Sequence, residues 1–463
     1  MKTLSGKLLL VAALSCPSLH AQLPLRLDDV LDSVRRHYPP LLAALLERDI
    51  ADADVLASLG KFDLTLRARL DTDQFGYYRN ERVATGFEQY TQTWGASMYG
   101  GWRVGDGSFA PYDGKLDTRS YGEWSGGMKL PLWRDRAIDP RRAELRKAEI
   151  GRRLARLSID QQQLVVTQLA TRRYWDWVSA GYRRQIQQAL LETANARDAF
   201  LRDSARLGQI ARIEVTENER AIMQRRSQVV EAERLLQQTA IDLSLFYRDP
   251  AGQPVIATPD QLPPAFAGIS TITEAQLNES LNTAIARRPE LQRLDAQGDQ
   301  LRVDSRLAVN DRKPEIDFQL GFTAESGPAG SVRRGPSEMK AALVFELPWQ
   351  RRAATGKFQA AEAKLKQIDH RERFTRDQIV AEVRDAASAV RAAHERVELV
   401  REELRLAREL EEAERARFQL GDGTLFLVNL REQATADAAN REVFALNDYF
   451  RAQAQYEFAI GGR

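Results

Sequence analysis

The stretch "LPLWRDRA" at Leu130–Ala137 returns in shortened form as "LPWQRRA" at Leu347–Ala353. Each copy ends a run of alternating apolar and polar residues and begins a long Ala- and Arg-rich stretch with almost no Gly or Pro. Because proline cannot donate the backbone hydrogen bond that continues a strand ladder, each copy marks the end of a strand. The repeated junction therefore predicts a duplicated unit in which a strand leads into a helix.

Four segments alternate between apolar and polar residues and predict β-strands. Their approximate bounds are 62–72, 121–131, 314–323 and 338–348. Each is about ten residues long, which is the length that a tilted strand needs to cross a bilayer. One apolar and one polar face fit a wall between lipid and water, although an ordinary half-buried sheet gives the same alternation.

Two long helices are predicted to follow these strand pairs, at 138–207 and 353–420. In the second, apolar residues recur at steps of three and four from Ile379 to Ala407, which is the heptad pattern of a coiled coil. Leu-Gly ends each long helix, and a second helical pattern begins at once, at 212–247 and 424–460. The sequence thus predicts two antiparallel helical hairpins that reverse at Gly208 and Gly421, where a positive φ is expected.

The predicted elements divide the chain into a first repeat at 22–247 and a second repeat at 273–463. A proline-rich linker at 248–272 joins them. Residues 1–21 carry lysines followed by a short apolar run, which is typical of a secretory signal peptide cleaved after Ala21. Acylation of Cys16, the single cysteine, is the alternative way of processing this leader.

Composition and motifs give no indication of chemistry. The formal net charge is +2 and basic residues are interleaved with acidic ones, which argues against nucleic acid as a partner. The four histidines are scattered and no phosphate loop, dinucleotide fingerprint or zinc-protease helix occurs, so we predict no catalytic residue, metal or cofactor. The aromatic cluster Tyr174, Trp175 and Trp177 is interpreted as helix packing, with a ligand site as the alternative.

The order of these elements resembles the outer-membrane factor family, the TolC-like exit ducts of bacterial efflux and secretion systems. The resemblance depends on Pro40-Leu41 and Pro289–Leu291, on the strand–Pro–Trp–Arg junctions, and on "LGQIARIEVTENERA" and "LGDGTLFLVNLREQA" at the hairpin turns. It implies an α+β membrane protein in which three copies form a twelve-stranded β-barrel in the outer membrane of a Gram-negative bacterium. The helical hairpins would continue it as a periplasmic coiled-coil α-barrel.

The resemblance also implies partners and sites. A periplasmic adaptor protein and an inner-membrane pump are expected as partners, along with outer-membrane lipid. The turns are expected to be the tips that meet the adaptor; their residues are Leu207, Gly208, Gln209, Ile210, Leu420, Gly421, Asp422, Gly423 and Thr424.

The closed aperture is expected just beyond the second turn. Family members commonly carry acidic residues there, whereas this chain has no aspartate in the matching stretch. We therefore predict that Arg431 and Glu432 dominate the polar lining, with Glu214 and Glu217 as counter-charges. One of the two neighbours should face the lumen, because adjacent residues of a helix point about 100° apart. Trp133 and Trp349 are predicted at the membrane interface.

A long insertion separates the first pair of predicted strands. Residues 72–120 add about 35 residues relative to the second pair and are rich in Tyr, Trp and Gly. The barrel interpretation places them outside the cell, as a long loop or an extra β-hairpin. The alternative to a channel is a periplasmic coiled-coil adaptor or scaffold without a pore, although duplicated strand pairs argue against it.

Overall fold

The computed structural model describes residues 23–113, 115–328 and 337–462. The predicted signal peptide and Cys16 lie outside the described residues. The chain folds into two compact units, and each draws on both sequence repeats. One unit comprises residues up to Tyr38 with Leu169–Ser270 and Ala392–Arg451; the other comprises Pro39–Gln168, Thr271–Arg391 and the residues from Ala452 onward. The repeats of the sequence are therefore not the packing units of the fold.

Helices make up most of the described chain and lie close to their predicted bounds. They are α1 (Leu27–His37), α2 (Pro39–Leu59), α3 (Pro140–Arg206), α4 (Arg212–Ser244), α5 (Glu274–Arg287), α6 (Pro289–Asn310), α7 (Arg352–Gln419) and α8 (Leu425–Ala459). Within the described ranges, every helix lacks an apolar stretch long enough to cross a bilayer.

Local chemistry explains where α3 begins. The Oδ1 atom of Asp139 accepts hydrogen bonds from the backbone N–H groups of Arg141 and Arg142, at 2.8 and 3.1 Å. Pro140 follows as the first helical residue, where its missing N–H costs nothing. The heptad seam predicted in α7 is confirmed, because Ile379, Val383, Ala386, Val390, Val397 and Leu404 are buried.

Six antiparallel strands form one sheet in the unit that contains residues 39–168. They are β1 (Thr65–Asp73), β2 (Asn80–Tyr90), β3 (Ser97–Gly107), β4 (Glu123–Pro131), β5 (Glu315–Glu325) and β6 (Ser337–Glu346), and they neighbour one another in chain order. The four predicted strands are β1, β4, β5 and β6. The insertion supplies β2 and β3, so the sheet has six strands where a twelve-stranded trimeric barrel would take four from each chain.

The insertion is a β-hairpin, which is one of the two forms expected from the sequence. Residues 91–96 connect β2 to β3 at the end of the sheet where the helices join. There the guanidinium carbon of Arg141, in the first turn of α3, lies 3.5 Å from the ring centre of Tyr90. The backbone of Gly95 lies against the carbonyl group of Asp135. These contacts hold the hairpin turn at the strand–helix junction, and not at the opposite end of the sheet.

The two faces of the sheet differ in polarity across all six strands. One row of paired residues runs through Leu66, Phe87, Gly100, Gly126, Phe322 and Met339. The adjacent row is made of the neighbouring residue on each strand. Its members are Arg67, Gly86, Gly101, Ser125, Thr323 and Glu338. Large side chains of the apolar face, including Leu66, Phe87 and Met339, are exposed, whereas the polar face holds the buried Glu123 and Asp317. This arrangement is the reverse of a soluble protein, whose apolar face is buried.

Candidate functional site

The two helical turns have the same hydrogen-bonded geometry. At the first, the N–H of Gln209 donates to the carbonyl of Ser204 at 2.9 Å, and the N–H of Gly208 to that of Ala205 at 3.1 Å. The second repeats the pattern from Asp422 to Arg417 and from Gly421 to Phe418, at 2.9 and 3.1 Å. Both are Schellman motifs, which need a left-handed residue after the helix.

Glycine meets that need in both turns. The backbone φ is +74° at Gly208 and +80° at Gly421, which confirms the prediction of positive φ. No atom lies within 4 Å of the position that a Cβ would occupy at either glycine. Backbone conformation, not space, therefore selects glycine here.

The turns expose apolar side chains at the end of each hairpin. Leu207 is 66% exposed and Leu420 is 85% exposed. In the second turn Thr424 precedes α8, and its hydroxyl accepts a hydrogen bond from the N–H of Leu427 at 3.4 Å. Each tip thus combines a well-defined backbone with an exposed leucine.

Behind the tips, a buried cluster of charges joins all four long helices. Glu432 of α8 has a side chain that is 1% exposed. Arg197 of α3 donates to both of its carboxylate oxygens at 2.7 Å, Arg225 of α4 donates at 2.9 Å, and Arg415 of α7 lies at 3.2 Å. Arg225 also donates to the carbonyl of Leu190 at 3.0 Å. We call these four side chains the Glu432 cluster.

The Glu432 cluster keeps its charges despite burial. Burial alone would raise the pKa of Glu432, but the hydrogen bonds and charges of Arg197 and Arg225 outweigh it and leave that pKa below its ordinary value. Burial lowers the pKa of Arg225, and the carboxylate of Glu432 opposes that shift. A carboxylate shared by several guanidinium groups is thus stabilised in its charged form.

This geometry corrects the prediction that Glu432 lines an aperture. Its carboxylate is enclosed among helices of its own chain, because three arginines hold it there. Of the two predicted counter-charges, Glu217 pairs with Arg220 on its own helix, at 2.8 Å. Arg431 and Glu214 are half-exposed.

The arginines of the Glu432 cluster were missed by sequence analysis, although a signal existed. Arg225 lies between Ile222 and Val229 at helical spacing, on the buried face of α4. Glu432 has the same relation to Val428 and Ala436 in α8. A charge at a seam position indicates a buried ion pair between helices.

The aromatic cluster in α3 packs between helices, as interpreted from the sequence. The ring centres of Trp175 and Phe450 are 3.8 Å apart, and the rings are nearly parallel. Phe266 extends the stack at 5.9 Å from Trp175, and the Tyr182 hydroxyl donates to the carbonyl of Pro263 at 2.8 Å. The segment predicted as a linker is therefore packed onto α3.

The two strand–helix junctions share an exposed tryptophan and a strained residue. Trp133 and Trp349 are both exposed, and φ is positive at Asp135 (66°) and Arg351 (48°). Asn310 supports Asp135 by accepting from its N–H at 3.1 Å and donating to its carboxylate at 2.8 Å. A left-handed residue lets the chain turn sharply from strand to helix.

Comparison with known proteins agrees with the resemblance read from the sequence. Residues 280–462 match the family model described as "Outer membrane efflux protein". Comparison with curated protein sequences gives no match.

Several solved outer-membrane channels share the fold over 94% of this chain. The CmeC channel of Campylobacter jejuni is 16% identical, with a TM-score of 0.63 and 85% of its own length covered. VceC of Vibrio cholerae is 14% identical, with a TM-score of 0.65 and 96% covered. The MtrE channel of Neisseria gonorrhoeae is 14% identical, with a TM-score of 0.64 and 89% covered.

Proposed function

We propose, from two premises, that this chain is an outer-membrane exit duct. Its second half has the signature of the outer membrane efflux proteins, and nearly its whole length has the fold of outer-membrane channels. It passes substrates from a periplasmic adaptor and an inner-membrane pump to the exterior. The observation that carries the proposal is the six-stranded sheet with an exposed apolar face and a polar face, joined to long helical hairpins. Such a chain is a channel and not an enzyme.

Three copies of the chain form the channel. Within the described residues β1 and β6 are the edges of the sheet. Because a strand edge left in lipid has unpaired backbone N–H and C=O groups, it must pair with another chain. Pairing of β1 with β6 of a neighbouring copy closes the wall, and the hairpins continue it into the periplasm. Trp133 and Trp349 lie where that wall meets the membrane surface.

The proposed function is tested by measuring the oligomeric state of the purified chain and its channel conductance. The chain purified from outer membranes in mild detergent should have the mass of a trimer by light scattering, and it should form channels in planar bilayers. The competing scaffold function predicts release from membranes by salt and no channel activity. A salt-soluble monomer would contradict the exit duct.

The two tips dock the adaptor, and Gly421→Val is expected to weaken that contact. A β-branched residue in the left-handed conformation costs about 1–2 kcal/mol, or about a 5- to 30-fold shift in population. Binding to the adaptor that copurifies with the wild-type chain should fall accordingly, while trimers still form.

Two matched variants isolate the effect of φ at the tip. Gly421→Asn should retain most binding, because asparagine tolerates the left-handed conformation. Gly356→Val places the same side chain on an exposed turn of α7, where nothing lies within 4 Å of its Cβ, and should not alter adaptor binding. Unchanged binding by Gly421→Val would show that the second turn is not a docking tip.

The aperture near the tips is lined by Arg431, with Glu214 as a facing charge. Both side chains are half-exposed, whereas that of Glu432 is buried. Because the cluster anchors α8 to the first hairpin, it sets the position of Arg431 without lining the channel itself.

A further inference from the structure

The inserted hairpin has the same two-faced pattern as the strands on either side of it. In β2, Val83, Thr85 and Phe87 lie in the apolar rows of the sheet, whereas Arg82, Ala84 and Glu88 lie in the polar rows. The three residues in the apolar rows are exposed and the other three are half-buried. In β3, Met98, Trp102 and Val104 continue the apolar face, since Trp102 pairs with Thr85 and Val104 with Val83.

The hairpin is also continuous with the sheet in its hydrogen bonding. All nine residues of β1 pair with β2, and all eleven residues of β2 pair with β3. Tyr99 extends from β3 across the polar face to Gly127 of β4 and Gly321 of β5. The Tyr99 ring occupies the space that side chains at Gly127 and Gly321 would fill. It therefore links β3 to β5 across β4.

The ends of the hairpin coincide with the ends of the other strands. Its turn lies against the junction of β4 and α3, through Arg141 and Gly95. At the other end, Arg103 forms two hydrogen bonds with the Glu123 carboxylate at 3.1 and 3.0 Å. A hairpin outside the membrane would need neither an exposed apolar face nor contacts that hold it at both ends of the sheet.

We propose that β2 and β3 are membrane-spanning strands, so that each chain contributes six strands and the trimer closes an eighteen-stranded barrel. The inference rests on the proposed trimeric exit duct and goes beyond it by setting the width of the duct. Since the diameter of a barrel grows roughly linearly with strand number, it would be about 1.5-fold wider than a twelve-stranded barrel. Barrels of 16–18 strands enclose an open aqueous channel, which here would admit bulkier cargo at the outer mouth.

Cysteine labelling in intact outer membranes tests the position of the hairpin. The leader residue Cys16 is the single native cysteine, so each substitution introduces one new thiol. Val83→Cys and Val104→Cys should be protected from a water-soluble maleimide, because both face lipid. Ala84→Cys, next to Val83 but on the polar face, should react. The matched pair on β5 is Leu320→Cys, expected to be protected, and Gln319→Cys, expected to react.

The β5 pair separates failure of this inference from failure of the proposed function. If Val83→Cys and Val104→Cys react as fast as Ala84→Cys while Leu320→Cys stays protected, the hairpin lies outside the bilayer of an intact channel, and the eighteen-stranded barrel is wrong. If Leu320→Cys and Gln319→Cys react alike, the sheet does not span the membrane, and the proposed function fails as well.

Excision of residues 80–107 provides the second variant. The paired rows connect Leu66 through Phe87 and Gly100 to Gly126, so β1 can pair with β4 without exchanging its faces. Electron cryomicroscopy of the full-length and the excised trimer should show that excision reduces the diameter of the membrane-embedded barrel by about a third. An unchanged width would overturn the inference. If the excised chain does not assemble, the labelling pattern of the full chain still decides.

Discussion

Glu432→Ala is expected to destabilise the region behind the helical tips by about 3–5 kcal/mol, because removing one partner of a buried ion pair leaves the other charge unpaired. The side chain of Arg225 is 3% exposed, so its charge would stay buried after the carboxylate is removed. Native-state hydrogen exchange should report this loss as exchange faster by two orders of magnitude or more for amides near Arg197 and Arg225.

The control is a glutamate whose ion pair also connects two long helices, α7 and α8, but lies at the surface. Glu403 pairs with Arg441 at 2.7 Å, but both side chains are nearly half exposed. Glu403→Ala should change the free energy of opening by about 1 kcal/mol or less, as is usual for a surface ion pair. Equal effects of the two substitutions would show that the Glu432 cluster does not hold the hairpins together. Arg225→Met combined with Glu432→Leu should cost less than the sum of the single changes, because the double variant no longer leaves Arg225 charged and buried without the carboxylate. The remaining cost comes from Arg197 and Arg415, which lose the same carboxylate.

Trp175→Ala is expected to cost about 3–5 kcal/mol, as is usual when a buried tryptophan is truncated. The ring stacks between Phe450 of α8 and Phe266 of the proline-rich segment, and it is 7% exposed. Its loss should free residues 248–268 from α3. Limited proteolysis under native conditions should therefore cleave this segment at least about 100-fold faster, because cleavage tracks the population of the open form.

Two substitutions control for the chemistry of this change. Trp175→Phe keeps an aromatic ring in the stack and should lose less than half as much stability. Trp133→Ala deletes the same side chain from an exposed junction and should leave cleavage of the 248–268 segment unaltered. If Trp175→Ala is cleaved no faster than Trp133→Ala, the stack does not anchor the segment.

The inserted hairpin shows why strand prediction from the sequence was incomplete. Glycine replaces side chains at Gly86, Gly100, Gly101 and Gly105, so the alternation in β2 and β3 is too sparse to recognise along the chain. Only the pairing with β1 and β4 assigns each residue to a face. For the same reason the sequence left open whether residues 72–120 form a long loop or an extra β-hairpin, and only the structure locates the turn at 91–96.

The sequence by itself determined the features that repeat over short distances. The periodicity of the helices and of β1, β4, β5 and β6, and the left-handed glycines at both turns, depend on neighbours within one or two turns of chain. These features appeared where the sequence predicted them. Only the tertiary structure decided which distant groups meet. Glu432 and Arg197 are 235 positions apart, and no spacing rule connects them, because burial and pairing energies depend on the packed helices and not on sequence separation. That is why a charge assigned to a channel lining from the sequence instead holds the two hairpins together.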